Sequence, residues 1–223
     1  PDLDVLREGV SRYIGLPVRI RPTLDFADLD VRTRTNPGQG QRQWLTTDII
    51  DALKDRKPDD AYAVLGITMT DLWPGRGWNY VFGQASWAHN VGVQSFARYD
   101  PKSRLSRHFT RRDLSREQVM LLRSLKIVVH EVGHTFGIRH CRHYKCSMNG
   151  SNSLLETDDS PLRICPVELR KLQKAVGFDP DERYRRLAEF YAEHGLDREA
   201  KFAENRAKLS AQSSSTEAPD TGQ

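Results

Sequence analysis

Apolar residues in VLREGVSRYIG recur at helical spacing, and the run breaks at Gly15 and Pro17. This predicts a first helix followed at once by a short strand, Val18 to Arg21, with β-branched residues in alternation. The next segment, DLDVRTRTNPGQGQRQW, is polar and rich in Gly, Pro and Asn, which reads as an exposed loop. TTDIIDALKDRK then returns to an amphipathic helical period, with Thr46 or Thr47 as N-cap, and should cover a sheet. AYAVLGITMTD is a nearly continuous apolar run between Pro58 and Asp71, the pattern of a central strand buried on both faces. Two β-rich runs, Tyr80 to Trp87 and Val91 to Tyr99, flank a His-Asn pair and predict a hairpin or an edge-strand pair.

From Ser115 the period changes again. SREQVMLLRSLKIVVHEVGHTFG keeps helical spacing for more than twenty residues, opening with Ser115 and Glu117, and predicts the longest helix. NGSNSLLETDDSPLR reads as loop, CPVELRKLQKAVGF as a helix with Pro166 in its first turn, and ERYRRLAEFYAEHG and DREAKFAENRAKL as helices flanking Gly195. The order of elements implies an α/β fold with a single mixed twisted sheet flanked by helices. We expect three regions: a catalytic domain over 1–180, a helical extension over 181–209, and a polar, low-complexity disordered tail over 210–223.

Composition narrows the function classes. No apolar run is long enough to span a membrane, and the amino terminus has neither the basic nor the apolar region of a signal peptide. The net charge of +4 comes from basic residues interleaved with acids, so it reads as a solvated surface and not as a nucleic-acid footprint. A nucleic-acid-binding zinc protein is the weakest reading, because only the pI near 9.0 suggests it. The three cysteines, Cys141, Cys146 and Cys165, cannot all pair with one another and cluster beside histidines, which points to metal binding in a reducing, cytoplasmic setting.

The candidate chemistry lies in HEVGHTFGIRHCRHYKCSM, residues 130–148. His130 and His134 are four apart, so a helix presents both imidazoles on one face one turn apart, where they can share an ion. Gly137 and His140 extend the pattern to HExxHxxGxxH, whose five fixed positions would match by chance about once in three million starts. Gly137 at positive φ would turn the chain and return His140 to the same ion. Three neutral imidazoles leave one zinc position open to water, and Glu131 can take a proton from that water and pass it to a leaving amine. Cys141, Cys146 and Cys165 suit a closed site, with Glu168, His143 or water as fourth ligand. His143, Tyr144 and Asn149 are candidate oxyanion donors, and Trp73, Trp78 and Trp87 candidate cleft residues.

HExxHxxGxxH followed directly by Cys, then C-x4-C-x-M and a later CPVE, resembles the archaemetzincins, a branch of the metzincin zinc metallopeptidases. VLGITMTDLW, VFGQASW, SFARYD, MNGSN and LRKLQKAVGF are similar to family segments, so the resemblance covers most of residues 60–180. It implies a metzincin-like zincin with a long active-site helix, a catalytic zinc on His130, His134 and His140, and Glu131 as general base. It also implies Met148 as the Met-turn residue beneath the histidines, and a second zinc in a cysteine-bound subsite. The family holds that second ion with four cysteines; Cys141, Cys146 and Cys165 match three, and Glu168 stands where the fourth would be. The sequence therefore reads as a monomeric zinc peptidase with two zinc ions per chain, an aminopeptidase being one form, acting on peptide or protein substrates. A zinc-stabilised peptide-binding module with little or no catalysis is the alternative.

Overall fold

A computed structural model of the protein describes residues 1–104 and 113–216. Helix α1 (Leu3–Ile14) starts at Asp2, whose carboxylate accepts from the N–H groups of Asp4 and Val5, and buries Leu6, Val10, Tyr13 and Ile14. The strand expected over Val18 to Arg21 is absent. That stretch forms no ladder and is tied to the surface by its cations, Arg19 pairing with Asp60 at 2.7 Å and Arg21 donating to the Arg56 carbonyl at 3.0 Å.

The segment expected to be an exposed loop instead carries a hairpin, β1 (Thr33–Thr35) and β2 (Arg42–Leu45). Its turn is built by Asn36, whose side-chain oxygen accepts from the N–H groups of Gly38 and Gln39. β2 runs straight into α2 (Thr46–Lys54), leaving Leu45 at the N-cap position with no side-chain cap. Thr46 cannot serve as the cap because its hydroxyl donates to Gln84, tying the helix to a neighbouring strand.

Two small mixed sheets replace the single one expected. β1 and β2 join β4 (Asp71–Trp73), with β2 and β4 parallel; β3 (Val64–Thr68), β6 (Val91–Ser95) and β5 (Gly83–Ser86) form the other, in the order β3-β6-β5. β3 runs parallel to β6, and β5 and β6 make the expected hairpin. β3 is an edge strand, not the central one, with Ile67 exposed on one side. The fully buried centre is β6, whose sequence VGVQS hides its position behind a glycine and two polar residues.

Helix α3 (Arg116–Thr135) is capped by Ser115 in a reciprocal pair with Gln118, one residue beyond the Glu117 noted in the sequence. It is buried nearly all round, as a helix through the middle of a core must be. Its buried faces include cations, which corrects the expectation of a wholly solvated basic surface. Arg123 pairs with Asp158 at 2.5 Å and donates to the Tyr99 carbonyl, while Lys126 donates to the carbonyls of Thr157 and Asp158. Thr157 and Asp158 belong to α4 (Leu154–Asp159), a short helix in a segment expected to be loop, capped by the Ser153 hydroxyl.

α5 (Pro166–Val176) begins at Pro166 as expected. α6 (Pro180–Glu193) and α7 (Asp197–Thr216) follow; with Leu196 between them they contribute Tyr184, Leu187, Phe190 and Ala203 to the same core as α1 and α3. The helix extends into the stretch expected to be a disordered tail, as far as Thr216; residues 217–223 lie outside the described residues. No described helix is long and apolar enough to cross a membrane.

Candidate metal centre

The last turns of α3 carry His130 and His134 on one face, both buried. His130 Nδ1 lies 2.8 Å from the Ser147 carbonyl and His134 Nδ1 lies 2.7 Å from that of Ile138. A carbonyl only accepts, so each Nδ1 holds the proton and each Nε2 presents a lone pair. These two Nε2 atoms are 3.0 Å apart. Burial, more than any neighbour, pushes the His130 imidazole down to about 4 and so keeps it neutral; the same cause lowers His134. Two facing lone pairs in a desolvated place repel each other unless a cation lies between them.

Helix α3 is followed by Phe136 at its C-cap, and Gly137 at φ 74° makes the left-handed turn that the sequence pattern requires. The chain returns with the His140 ring 5.2 Å from His130 and 5.0 Å from His134, centroid to centroid. One ligand atom from each of the three rings lies within 4.8 Å of the others. A tetrahedral zinc with bonds of about 2.0–2.1 Å needs nitrogens about 3.3 Å apart, so the donor set fits that ion with small side-chain adjustment.

Glu131 is half-buried beside this group. Burial pushes its carboxyl up to about 7, with the Gln94 amide acting in the opposite direction. Met148, 1% exposed, packs against Gly133 in the turn of α3 between His130 and His134. A Cβ at Gly133, the fourth position of HExxH, would stand 2.5 Å from the Met148 sulfur, so a side chain there forces the buried thioether to shift. Gly133→Ala should therefore lower stability by about 1–3 kcal/mol and weaken metal retention. A urea midpoint and a zinc-competition titration, both equal to the parent's, would contradict this contact.

The three cysteines are buried and free of disulfides. Their sulfurs lie within 4.8 Å of one another, with Cys141 and Cys165 at 3.9 Å. The sulfur–sulfur edge of a tetrahedral zinc site is about 3.8 Å, whereas a disulfide is about 2.05 Å. The Cys146 sulfur accepts from the N–H groups of Cys165 at 3.2 Å and Met148 at 3.5 Å, yet burial prevails and pushes its thiol up to about 12. For Cys141 burial also acts upward, but the N–H groups of His143 and Tyr144 outweigh it and hold the thiol below its usual value. Glu168, in the first turn of α5, is buried but lies outside the group of three sulfurs; its carboxylate faces Lys171, 2.9 Å from Oε2 and 3.1 Å from Oε1.

A cleft of about 610 Å³ opens over the histidines, between the segment from Gly77 to Ala85, the Lys126–His134 face of α3, and residues of the 147–161 stretch. Trp78 and Trp87 line it, the Trp87 ring 5.6 Å from that of His134, whereas Trp73 lies under the Arg34 guanidinium away from it. Asn149 lines the cleft, but its amide is engaged, donating to the Cys141 and Tyr144 carbonyls and accepting from the Cys146 N–H. His143 and Tyr144 are exposed and not among the cleft-lining residues. Lys126, one turn before His130, was missed in the sequence, although its spacing places it on the histidine stripe.

The family model for peptidase family M54 matches residues 45–174. The chain belongs to peptidase family M54, the archaemetzincins. Human archaemetzincin-2 is 39% identical over 203 residues, covering 83% of this chain and 56% of its own length. Human archaemetzincin-1 is 34% identical over 199 residues, covering 78% of this chain and 39% of its own. The chain spans about half the length of the curated relatives it matches. Among solved structures, archaemetzincin from Methanopyrus kandleri superposes with a TM-score of 0.57 at 31% identity, covering 79% of this chain and 86% of that one. Archaemetzincin from Archaeoglobus fulgidus, complexed with malonate, gives 0.55 at 25%, covering 76% and 90%. The helix-flanked small mixed sheets described above are thus those of an archaemetzincin, and the family makes zinc the metal for which these donor groups are suited.

Proposed function

We propose that the protein is a zinc metallopeptidase that hydrolyses peptide bonds in the cleft over His130, His134 and His140. The observation that carries this reading is the pair of protein-oriented Nε2 lone pairs 3.0 Å apart beside a desolvated carboxyl. Zinc, when bound there, supplies a Lewis acid for the scissile carbonyl and lowers the pKa of water to about 7. Glu131 takes the proton of the attacking water and returns it to the departing amine. The carbonyls of Ser147 and Ile138 hold the imidazoles in the ligating tautomer, and Met148 supports them from below. Edge strand β5 offers its outer backbone to an extended peptide.

We assign the second zinc to Cys141, Cys146 and Cys165 as a structural ion, completed by water or by Glu168 after its carboxylate leaves Lys171. The enzyme acts as a monomer on peptide or protein substrates, and its three reduced thiols suit the cytoplasm. Residues 1–180 form the catalytic domain, on which the following helices pack. An aminopeptidase form must also bind the free amine of its substrate, and Glu131 is the only carboxylate among the described cleft-lining residues. Paired peptides with free and acetylated amino termini separate the two forms.

The test is metal analysis with turnover of a mixed peptide library. The parent should hold two zinc ions per chain, lose turnover on chelation and regain it when zinc is restored. Replacing both His130 and His134 by Ala should remove one ion, and Cys146→Ser the other. One ion in the parent and none in the histidine variant would sink the second site; turnover that survives full chelation would sink the first.

A further inference from the structure

The segment between β4 and β5 forms the rim of the cleft and presents Trp78 with 64% of its surface exposed. An indole left uncovered usually sits on a loosely held loop. Here the backbone from Trp78 to Tyr80 is held from below. Arg34 donates to the carbonyls of Trp78 and Asn79, each at 2.9 Å. The Asn79 carbonyl also receives Asn36 Nδ2 at 3.0 Å and Gln43 Nε2 at 2.9 Å. Gln43 is fully buried and donates as well to Asp71 at 2.7 Å. Asp71 in turn pairs with Arg98, whose guanidinium lies 3.4 Å from the centre of the Tyr80 ring. Three side chains of the β1–β2 hairpin thus converge on one rim carbonyl, and the next residue, Tyr80, is held by a buried cation.

We propose that Trp78 is the side-chain recognition platform of the cleft, held by the β1–β2 hairpin, and that it selects peptides carrying an aromatic or large aliphatic residue. This rests on the peptidase reading above. The occupant is a peptide side chain because the indole opens onto the cavity that contains the histidines and Glu131. The chemistry is complementary. An exposed indole face gains from covering apolar surface and stacks with an aromatic ring, while Asn152, exposed and also lining the cleft, leaves a polar side chain for the peptide backbone. Arg34, Asn36 and Gln43 act as positioning residues, since they touch the rim and not the peptide.

The experiment uses zinc-loaded Glu131→Gln protein, which binds without turning over, and hexapeptide pairs in which one position is scanned as Phe or Ser. Calorimetric affinities should favour Phe over Ser by about tenfold at one position. Trp78→Ala should bring that ratio to within about twofold and Trp78→Phe should keep it, with zinc content unchanged in both. Arg34→Met should erode the ratio in the same direction with the indole still present. Binding without a Phe preference, or a preference that survives Trp78→Ala, overturns the platform and leaves the peptidase reading intact. If no peptide binds the zinc-loaded protein, the peptidase reading fails and the platform fails with it.

Discussion

Glu131→Gln should leave a folded, zinc-loaded protein whose peptide turnover is lower by about 10²–10⁴-fold, the usual contribution of a positioned acid–base group. Glutamine keeps the shape and the half-buried packing of the carboxylate but cannot carry a proton from water to amine. Stability gives an independent readout. Burial raises this carboxyl from its ordinary 4.5 to about 7, so the folded form binds the proton more tightly than the unfolded one. The metal-free parent therefore loses stability as pH rises from about 4.5 to 7, and glutamine removes that loss. At pH 7 the metal-free variant should melt no lower than the parent. Equal turnover in variant and parent would refute the base role and favour a zinc-stabilised binding module; loss of zinc together with turnover would assign Glu131 to metal retention.

The second large effect is on stability. Asp71 and Arg98 are 2% and 4% exposed and meet in a two-pronged pair, with Nε 2.7 Å from one oxygen and a terminal nitrogen 2.8 Å from the other. Removing one partner leaves the other charged in a place that water does not reach. Arg98→Met should cost about 3–5 kcal/mol and lower Tm by about 10 °C in a chain of this size. Combining it with Asp71→Leu should recover much of that loss, because an apolar pair of similar volume carries no desolvation penalty. Urea unfolding of the two single variants and the double forms the cycle; a double variant as unstable as the sum of the singles would show that the pair contributes no coupling. Arg98 also braces Tyr80, so the same substitution should loosen the cleft rim.

The parts of the fold legible in the sequence are those where local chemistry and periodicity agree. HExxHxxGxxH announces a helix, its end and the return of a third imidazole, and Gly137 adopts the positive φ that this return requires. The β5–β6 hairpin and the helix at Pro166 were readable for the same reason. What escaped was structure held by polar groups. The β1–β2 hairpin looks like loop because Arg34, Asn36 and Gln43 satisfy one another and their neighbours through hydrogen bonds, where apolar alternation would have been visible. α4 escaped because six residues give too few turns to show a period, and its carbonyls are met by Lys126 from thirty residues away in sequence. β3 and β6 exchanged roles because the apolar run is the edge and the strand containing Gln94 is the centre. The spacing predicted one group of histidines and one of cysteines, and each group lies close in space, but it could not show that Asn149 is occupied or that Glu168 faces Lys171.

Ser147 stands at a crossing of several parts of the chain. Its carbonyl orients His130, its N–H donates to the Arg163 carbonyl, and its hydroxyl meets that of Tyr13 from α1 at 2.8 Å. Its immediate neighbours are Cys146, whose sulfur belongs to the thiol group, and Met148, which packs against Gly133 between the two helical histidines. The two clusters thus share a tripod only three residues wide. Oxidation or alkylation of the thiols would reach an imidazole through one peptide unit, so damage on the sulfur side should register as a change in how firmly the histidine side grips its ion.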